Sequence, residues 1–185
     1  PAGAGKSTIA KRAAEKLSFI YVDTGAMYRA IALGLLRSNT DIADEVALNA
    51  RLAEISVEIS YEGGVQQVYL NGENVSNLIR TEEVSDMTSR SSAIAQVRAK
   101  LTDLQRDLAA RENVLMDGRD IGTTILPHAQ LKIYLTASVE VRALRRYKEY
   151  LAKGQKDQTL AEVEKDVENR DYRDMHRDVS PLCQA

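Results

Sequence analysis

The sequence predicts an α/β fold in which helices flank a central parallel sheet, with a small antiparallel β insert. Short apolar segments that suit buried strands alternate with longer segments of helical periodicity. The predicted strands of the parallel sheet are residues 19–22, 114–116 and 131–135. Residues 55–76 break the alternation because their strand-like runs are separated by EGG and NG, which are hairpin signals.

The helices are predicted from apolar residues that recur at helical spacing. The clearest face consists of Val97, Leu101, Leu104 and Leu108, whose 4-3-4 spacing buries one side of that helix. The other predicted helices begin at the GKST segment, cover residues 25–36, 41–54 and 138–152, and include a last one that ends near residue 178. The last two flank a polar loop, KGQKD, at residues 153–157.

Length and charge limit the classes of function. A chain of 185 residues suits one domain with a substantial core. Lys plus Arg is 25 and Asp plus Glu is 27, so the net charge is −2, which argues against a general nucleic-acid binder. Basic residues are nevertheless dense from Arg142 onward, which leaves room for a local anionic ligand.

The remaining composition predicts a cytoplasmic protein with no membrane segment. Cys183 is the single cysteine, so no intramolecular disulfide can form, as expected in a reducing compartment. No apolar run reaches the roughly 18 residues that a membrane-spanning helix needs. No signal peptide is visible, and we expect that the true N-terminus is missing.

The first eight residues, PAGAGKST, match a phosphate-binding loop, in which Gly and four spacers precede Gly-Lys-Ser or Gly-Lys-Thr. The first glycine would precede Pro1, so we expect a trimmed chain. Lys6 is expected to reach the β- and γ-phosphates of ATP and Ser7 to ligate Mg²⁺. A glycine-rich turn is the alternative, and the motif alone does not separate a kinase from a GTPase. The expected ATP-binding residues are Ala2, Gly3, Ala4, Gly5, Lys6, Ser7 and Thr8.

Two arginines follow the predicted strands at the edge where α/β sheets place ligands. Arg29 lies in DTGAMYR after the strand at residues 19–22, and Arg119 lies in DGRD after the strand at 114–116. Two arginines that converge there can bind a phosphate through their forked donors. Ordinary ion pairs in the loops are the alternative. Asp117 ends its strand and either orients Mg²⁺ through water or caps the loop.

The C-terminal helices carry charged residues on single faces. Arg170, Asp174 and Arg177 are offset by 0, 4 and 7 positions, which places them on one face. Arg142, Arg145 and Arg146 form a similar stripe on the preceding helix. A solvated charged face is the ordinary explanation. Beside a polar loop in a phosphate-loop protein, these residues also suggest a lid that closes over ATP.

The sequence as a whole resembles bacterial cytidylate kinases over essentially its entire length. The resemblance implies a single P-loop nucleoside-monophosphate kinase domain over residues 1–185, with an NMP-binding insert at 40–80 and a lid at 142–177. Adenylate and thymidylate kinases lack both the hairpin insert and this acceptor loop. The segments that carry the resemblance are GAGKST, VDTGAMYRA, the hairpin insert, LIRTEEV, LMDGRDIGT, and RDYRD followed by HRDVSPL.

The resemblance also implies an activity and a role for each site residue. The expected reaction transfers the γ-phosphoryl group of ATP to CMP or dCMP, with Mg²⁺ as cofactor and the enzyme as a monomer. The catalytic set is Lys6, Arg119, Arg145 and Arg146, with Arg142 as a further candidate. The expected CMP contacts are Arg29 and Arg119 for the phosphate, Thr24, Arg98, Asp120 and Arg177 for the base, and Ser89, Arg170 and Asp174 for the sugar. A carboxylate that accepts from the cytosine amino group makes chemical sense of Asp120.

Two departures and three rival functions accompany this expectation. Thr24 stands where serine also occurs in the family, which keeps the hydroxyl and adds a methyl group. The family continues beyond the last residues of this sequence into another strand and helix. The rivals are a UMP/CMP kinase, a thymidylate kinase, and a nucleotide switch that does not transfer phosphate to a metabolite. The Arg29–Arg119 pair argues against the switch, which has no use for a second phosphate site.

Overall fold

The computed structural model describes residues 1–152, 154–155 and 157–185, so Lys153 and Lys156 of the predicted polar loop lie outside the described residues. Within these ranges, no helix is both long and apolar enough to cross a membrane. Helices and strands alternate as the sequence predicts. The elements are α1 (Lys6–Leu17), β1 (Ile20–Asp23), α2 (Thr24–Arg37), α3 (Glu45–Glu54), β2 (Val57–Glu62), β3 (Val65–Leu70), β4 (Glu73–Asn74), α4 (Glu82–Ser91), α5 (Ala95–Arg111), β5 (Val114–Asp117), a π-helical turn (Ile121–Ile125), α6 (Val139–Ala152) and α7 (Leu160–His176).

Strands β1 and β5 form the parallel pair at the centre of the fold. Ile20 pairs with Val114 and Asp23 with Asp117, so the acidic residues that end the two strands lie side by side. This confirms the two predicted strands that end in an aspartate. The edge beyond their carboxyl ends is where a parallel sheet presents a ligand site.

The third predicted strand, residues 131–135, is wrong for this structure. The segment forms no strand, and Leu131 and Ile133 are 76% and 75% exposed. A strand keeps its conformation through backbone hydrogen bonds to a neighbouring strand. Within the described ranges, no such neighbour pairs with this segment.

The antiparallel insert is confirmed as a three-stranded sheet in the order β2-β3-β4. Its two turns fall at the predicted EGG and NG signals. Gly63, Gly64, Asn71 and Gly72 all have positive φ values, from 50° to 81°. Two successive residues with positive φ are what a tight type I′ hairpin turn requires, and glycine and asparagine accept that conformation at low cost.

Side chains of the insert attach it to the free edge of β1. The Gln66 amide accepts a hydrogen bond from the Asp23 N–H at 2.9 Å and donates one to the Asp23 carbonyl at 3.1 Å. The Tyr61 hydroxyl donates to the Tyr21 carbonyl at 3.3 Å. The amide of Gln66 thereby takes the place of a neighbouring strand, and the insert is tied to the residue that precedes α2.

The core lies between the insert, α2, α4 and α5. Met27, Ile31 and Leu35 on α2 are fully buried, as are Val97 and Leu101 of the predicted apolar face on α5 at 0% and 1% exposure. Helices α6 and α7 pack on each other around a separate small cluster of Ala143, Val163 and Val167. The α6–α7 pair therefore holds together mainly through its own contacts and its contacts with the phosphate loop.

Two predicted helix ends differ from the structure. The helix predicted at residues 41–54 begins at Glu45, because Asp44 accepts hydrogen bonds from the N–H groups of Val46 and Ala47 and caps it there. The last helix ends at His176 rather than near residue 178, since Arg177 is extended, with ψ at 145°.

Candidate active site

One crevice of about 910 Å³ lies beyond the carboxyl ends of β1 and β5. The phosphate loop (residues 1–8) forms one end of it, and α2, α4 and α5 form the other, with α6 and α7 along the side. The structure brings the candidate site residues named from the sequence to this crevice, with the exception of Arg142. These residues are Ala2, Gly3, Ala4, Gly5, Lys6, Ser7, Thr8, Thr24, Arg29, Ser89, Arg98, Asp117, Arg119, Asp120, Arg145, Arg146, Arg170, Asp174 and Arg177.

The phosphate loop turns sharply and leads straight into α1. Gly3 and Gly5 have φ values of 72° and 91°, in the left-handed region that side chains disfavour. Gly5 is the N-cap of α1 and brings no side chain to that helix end. The first N–H groups of α1 are therefore left for a ligand, at the end of the helix that attracts anions.

Lys6 points back across the loop. Its ammonium group donates to the Pro1 carbonyl at 2.6 Å. Burial, followed by the charge of Arg119, lowers the pKa of Lys6 to about 8. Burial makes the charged form of Lys6 less favourable. A bound phosphate would favour the charged form again, so this position suits an anionic ligand.

Ser7 and Asp117, the two expected Mg²⁺ residues, are in direct contact. The Ser7 hydroxyl donates to Asp117 Oδ2 at 2.6 Å, and the Tyr21 hydroxyl donates to the same atom at 3.2 Å. Burial and the nearby Asp23 raise the pKa of Tyr21, so its hydroxyl keeps the proton that it donates. A hydroxyl and a carboxylate suit Mg²⁺, which takes few protein oxygens besides substrate phosphates and water. Within the described ranges, no group of three or more His, Cys, Asp or Glu residues could hold a metal.

Arg29 and Arg119 both face the acceptor end of the crevice. Arg29 Nη1 donates to the Ile79 carbonyl at 3.2 Å and to the Ser85 hydroxyl at 2.7 Å. Burial and the neighbouring Arg80 lower the pKa of Arg29 to about 10. Arg119 Nε instead donates to the Asp174 carboxylate at 2.8 Å. Protein partners thus orient both guanidinium groups. Within the described ranges, Arg29 donates to a carbonyl and a hydroxyl, whereas Arg119 donates to a carboxylate.

A buried charged cluster forms the deepest part of the acceptor end. Asp120 accepts a hydrogen bond from Arg98 on one carboxylate oxygen, and its other oxygen lies 3.7 Å from Arg177 Nη2. The side chains of Arg98, Asp120 and Arg177 are 6%, 5% and 5% exposed. Because two guanidinium groups surround one carboxylate, this end of the crevice carries a net positive charge. The same three side chains supply hydrogen-bond donors and acceptors there.

Thr24 lies beside this cluster at the start of α2. Its hydroxyl donates to the Asp117 carbonyl at 2.8 Å, and the residue is 2% exposed. Gly118 makes this contact possible, since a Cβ there would lie 2.7 Å from Thr24 Oγ1. The DGRD segment therefore needs its glycine to bring the end of β5 against α2.

Two polar atoms at the site are buried without a protein partner in the part of the chain that the structure describes. They are the Ser89 hydroxyl and Arg170 Nε. Burial, followed by the charge of Arg119, lowers the pKa of Arg170 to about 10. Buried polar groups normally have hydrogen-bond partners, so unmatched ones that line a crevice point to a polar ligand. Ser89 and Arg170 are two of the three residues expected at the sugar.

The three arginines of the predicted lid stripe differ in where their side chains lie. Arg145 Nη1 reaches the Ala4 carbonyl at 3.5 Å, and Arg146 Nε donates to the Tyr150 hydroxyl at 2.5 Å. Both face the crevice. Arg142 does not join them, which corrects its place in the predicted stripe. It is 4% exposed and pairs with Asp171, because it lies at the base of α6, where that helix packs on α7 and the phosphate loop.

Sequence reasoning missed three contributors to the site. Tyr28 lies under the Arg98 guanidinium, 5.4 Å from ring centroid to Cζ, and faces the crevice. Its position four residues after Thr24, on the same face of α2, was an available signal. Tyr21 and Asp171 act through contacts with residues far along the chain, and no local pattern indicates them.

Comparisons with known proteins identify the family of the chain. A family model described as cytidylate kinase matches residues 1–185. The cytidylate kinase of Ligilactobacillus salivarius is 50% identical over 185 residues, which cover 100% of this chain and 82% of that protein. Those of Lactobacillus gasseri and Carboxydothermus hydrogenoformans are 48% and 47% identical over the whole chain, which covers 80% and 83% of them. The resemblance seen in the sequence is confirmed, and the chain belongs to the cytidylate kinase family.

Proposed function

We propose that this chain transfers the γ-phosphoryl group of ATP to CMP and dCMP, giving ADP and CDP or dCDP. The observation that carries the proposal is a single crevice with a phosphate loop at one end and a buried, arginine-rich pocket at the other. A protein that only binds ATP or GTP has no use for the second pocket. A phosphotransferase needs both, because the donor and acceptor must meet in line.

The donor end holds ATP by its phosphates. Backbone N–H groups of the loop and of the first turn of α1 surround the phosphate oxygens, and Lys6 exchanges the Pro1 carbonyl for the β- and γ-phosphates. Arg145 and Arg146 approach from α6 and stabilise the charge that develops on the transferred group. The contact of Arg145 with the Ala4 carbonyl of the phosphate loop supports a role in catalysis rather than in the choice of nucleotide.

Mg²⁺ fits beside the loop. The Ser7 hydroxyl would ligate the ion directly and Asp117 would hold it through water, which the 2.6 Å contact between their side chains supports. When bound, Mg²⁺ neutralises phosphate charge and orients the phosphoryl group for transfer. Tyr21 holds the Asp117 carboxylate by a hydrogen bond to one oxygen.

Different residues of the acceptor end bind the phosphate, the sugar and the base of the acceptor nucleotide. Arg29 and Arg119 bind the phosphate, and Ser89, Arg170 and Asp174 bind the sugar hydroxyls. Asp120 accepts from the cytosine amino group, while Arg98, Arg177 and Thr24 complete the contacts with the ring. The burial of this cluster and the unmatched atoms of Ser89 and Arg170 support these assignments.

The chemistry requires no nucleophile from the protein. A phosphate oxygen of CMP attacks the γ-phosphorus directly, and ADP leaves in line with it. Protein side chains position the two nucleotides, neutralise their charges and exclude water. The rate enhancement comes from positioning and from charges that lie in place before transfer begins.

A coupled assay of ADP release tests the proposal. Turnover is measured with CMP, dCMP, UMP, dTMP and AMP, each with Mg²⁺ and with excess chelator. The proposal predicts the highest kcat/KM for CMP and dCMP and loss of turnover on chelation. A preference for UMP or dTMP would show that the chain is a pyrimidine-nucleotide kinase of different specificity. Binding of ATP without phosphoryl transfer to any of these acceptors would indicate a nucleotide switch.

A further inference from the structure

Both backbone polar groups of Ala2, inside the phosphate loop, are bonded to side chains of α6 and α7. Arg142 Nη1 on α6 donates to the Ala2 carbonyl at 3.1 Å. Asp171 Oδ1 on α7 accepts from the Ala2 N–H at 3.4 Å. Ala2, Arg142 and Asp171 are only 7%, 4% and 7% exposed, so water does not compete freely for these contacts.

Arg142 and Asp171 also fix each other. Their side chains form an ion pair at 2.5 Å, and Arg142 Nε donates to the Ala137 carbonyl at 2.8 Å. The guanidinium group therefore has three partners, which leave it little freedom to rotate. The next loop residue is in contact as well, since a Cβ on Gly3 would lie 3.3 Å from Arg142 Cβ.

We propose that Arg142 and Asp171 are positioning residues that hold the phosphate loop in its ATP-binding conformation. The inference rests on the proposed binding of ATP at this loop. The N–H groups of the loop bind phosphate only when they converge, and a short glycine-containing loop has much conformational entropy to lose in reaching that state. A buried ion pair that is bonded to two consecutive peptide groups, through the N–H and the carbonyl of Ala2, restricts that freedom before ATP arrives.

The same pair links the loop to the helices that carry other site residues. Arg142 lies one turn before Arg145 and Arg146 on α6, and Asp171 lies one turn before Asp174 on α7. The Arg142–Asp171 pair therefore helps to fix the position of the loop relative to Arg145, Arg146 and Asp174. Neither member of the pair faces the crevice lining, so neither is assigned a contact with nucleotide.

The test measures nucleotide affinity by calorimetry in Asp171→Asn and Arg142→Met. The ligands are a non-hydrolysable ATP analogue with Mg²⁺ and, separately, CMP. We expect the analogue to bind about 10- to 100-fold more weakly, the loss typical of one hydrogen bond to a charged group, and CMP affinity to stay within about twofold. Asp166→Asn makes the same change at an exposed position on α7 and should leave both affinities unchanged.

A double variant separates positioning from simple stability. Breaking one partner of a buried ion pair can unfold a protein, whereas replacing both with apolar side chains is often neutral. Arg142→Met combined with Asp171→Leu should restore the Tm but not the affinity for the ATP analogue, because neither side chain can bond the Ala2 peptide. Recovery of both would show that the pair is only structural and would overturn the proposal. Equal losses of ATP-analogue and CMP affinity, or no loss of either, would also overturn it.

This result does not depend on which nucleotide accepts the phosphate. A different acceptor preference in the turnover assay would refute the proposed function, while the affinity for the ATP analogue would still decide the role of Arg142 and Asp171. Conversely, wild-type preference for CMP with unaltered ATP-analogue affinity in the folded variants would refute only the positioning role.

Discussion

The proposed base selection depends on the buried charge of Asp120, and Asp120→Asn tests it with almost no change of volume. In the structure this carboxylate stands between Arg98 and Arg177 at 5% exposure. The amide keeps one oxygen that can accept but replaces the other with a donor and removes the negative charge. Arg98 and Arg177 then face each other with no carboxylate between them.

The size of the effect follows from the geometry. Unit charges 3.7 Å apart attract each other by roughly 4 kcal/mol at an effective dielectric constant of about 20, and desolvation of the buried ions offsets much of it. We expect the free energy of unfolding to fall by about 3–5 kcal/mol, the cost typical of removing one charge from a buried ion pair. For the base, UMP carries a carbonyl where CMP carries its amino group, so a carboxylate opposite UMP meets an acceptor. Such a mismatch costs about 1–3 kcal/mol, or roughly 10- to 100-fold in preference.

The assay is kcat/KM for CMP and UMP in both proteins, with urea unfolding as a measure of stability. Asp120→Asn should weaken the use of CMP and narrow the CMP/UMP ratio by about 10- to 100-fold, because an amide can donate to the uracil carbonyl. Asp103→Asn, an exposed change on α5, is the matched control. An unchanged ratio in a folded variant would refute the reasoning and move base recognition to Arg98 and Arg177 alone.

Four further predictions follow from the site and from the helix caps. Lys6→Ala should lower turnover by orders of magnitude while calorimetry shows CMP affinity within a few fold; loss of CMP binding would contradict this separation of roles. Because burial lowers the Lys6 pKa to about 8 in the free enzyme and bound phosphate favours the charged form, ATP affinity should be about tenfold weaker at pH 9 than at pH 7; a Lys6→Met variant should lose this dependence, and a flat wild-type profile would disprove it. Arg145→Ala and Arg146→Ala should reduce kcat more than they raise the KM for CMP, and full kcat in both would reduce the stripe to a solvated face. Asp44→Ala removes the cap of α3, far from the crevice, and should cost about 1 kcal/mol of stability with unchanged kinetics; altered kinetics would show that α3 matters to the site.

Local sequence determined the parts of the fold whose causes are local. Glycine and asparagine at positions of positive φ predicted the hairpins at residues 63–64 and 71–72, and helical spacing predicted the buried face of α5. The strands that end at Asp23 and Asp117 were predictable because an apolar run followed by an acid is a short-range pattern. The strand predicted at residues 131–135 is wrong because an apolar run alone does not make a strand, which also needs a neighbouring strand to pair with.

For the candidate site as well, local sequence predicted some features and only the tertiary structure decided others. Sequence motifs predicted the residues that line the crevice. The prediction was possible because side chains at the ends of neighbouring parallel strands, and those on one helix face, lie close together. Motifs could not show which way a side chain turns where two helices meet. Arg142 has the same charge and nearly the same helical face as Arg145, yet it points to the Ala2 peptide and Asp171 rather than to the crevice. Only the packing of α6 on α7 and the phosphate loop decided this, because a buried guanidinium group goes where several acceptors surround it.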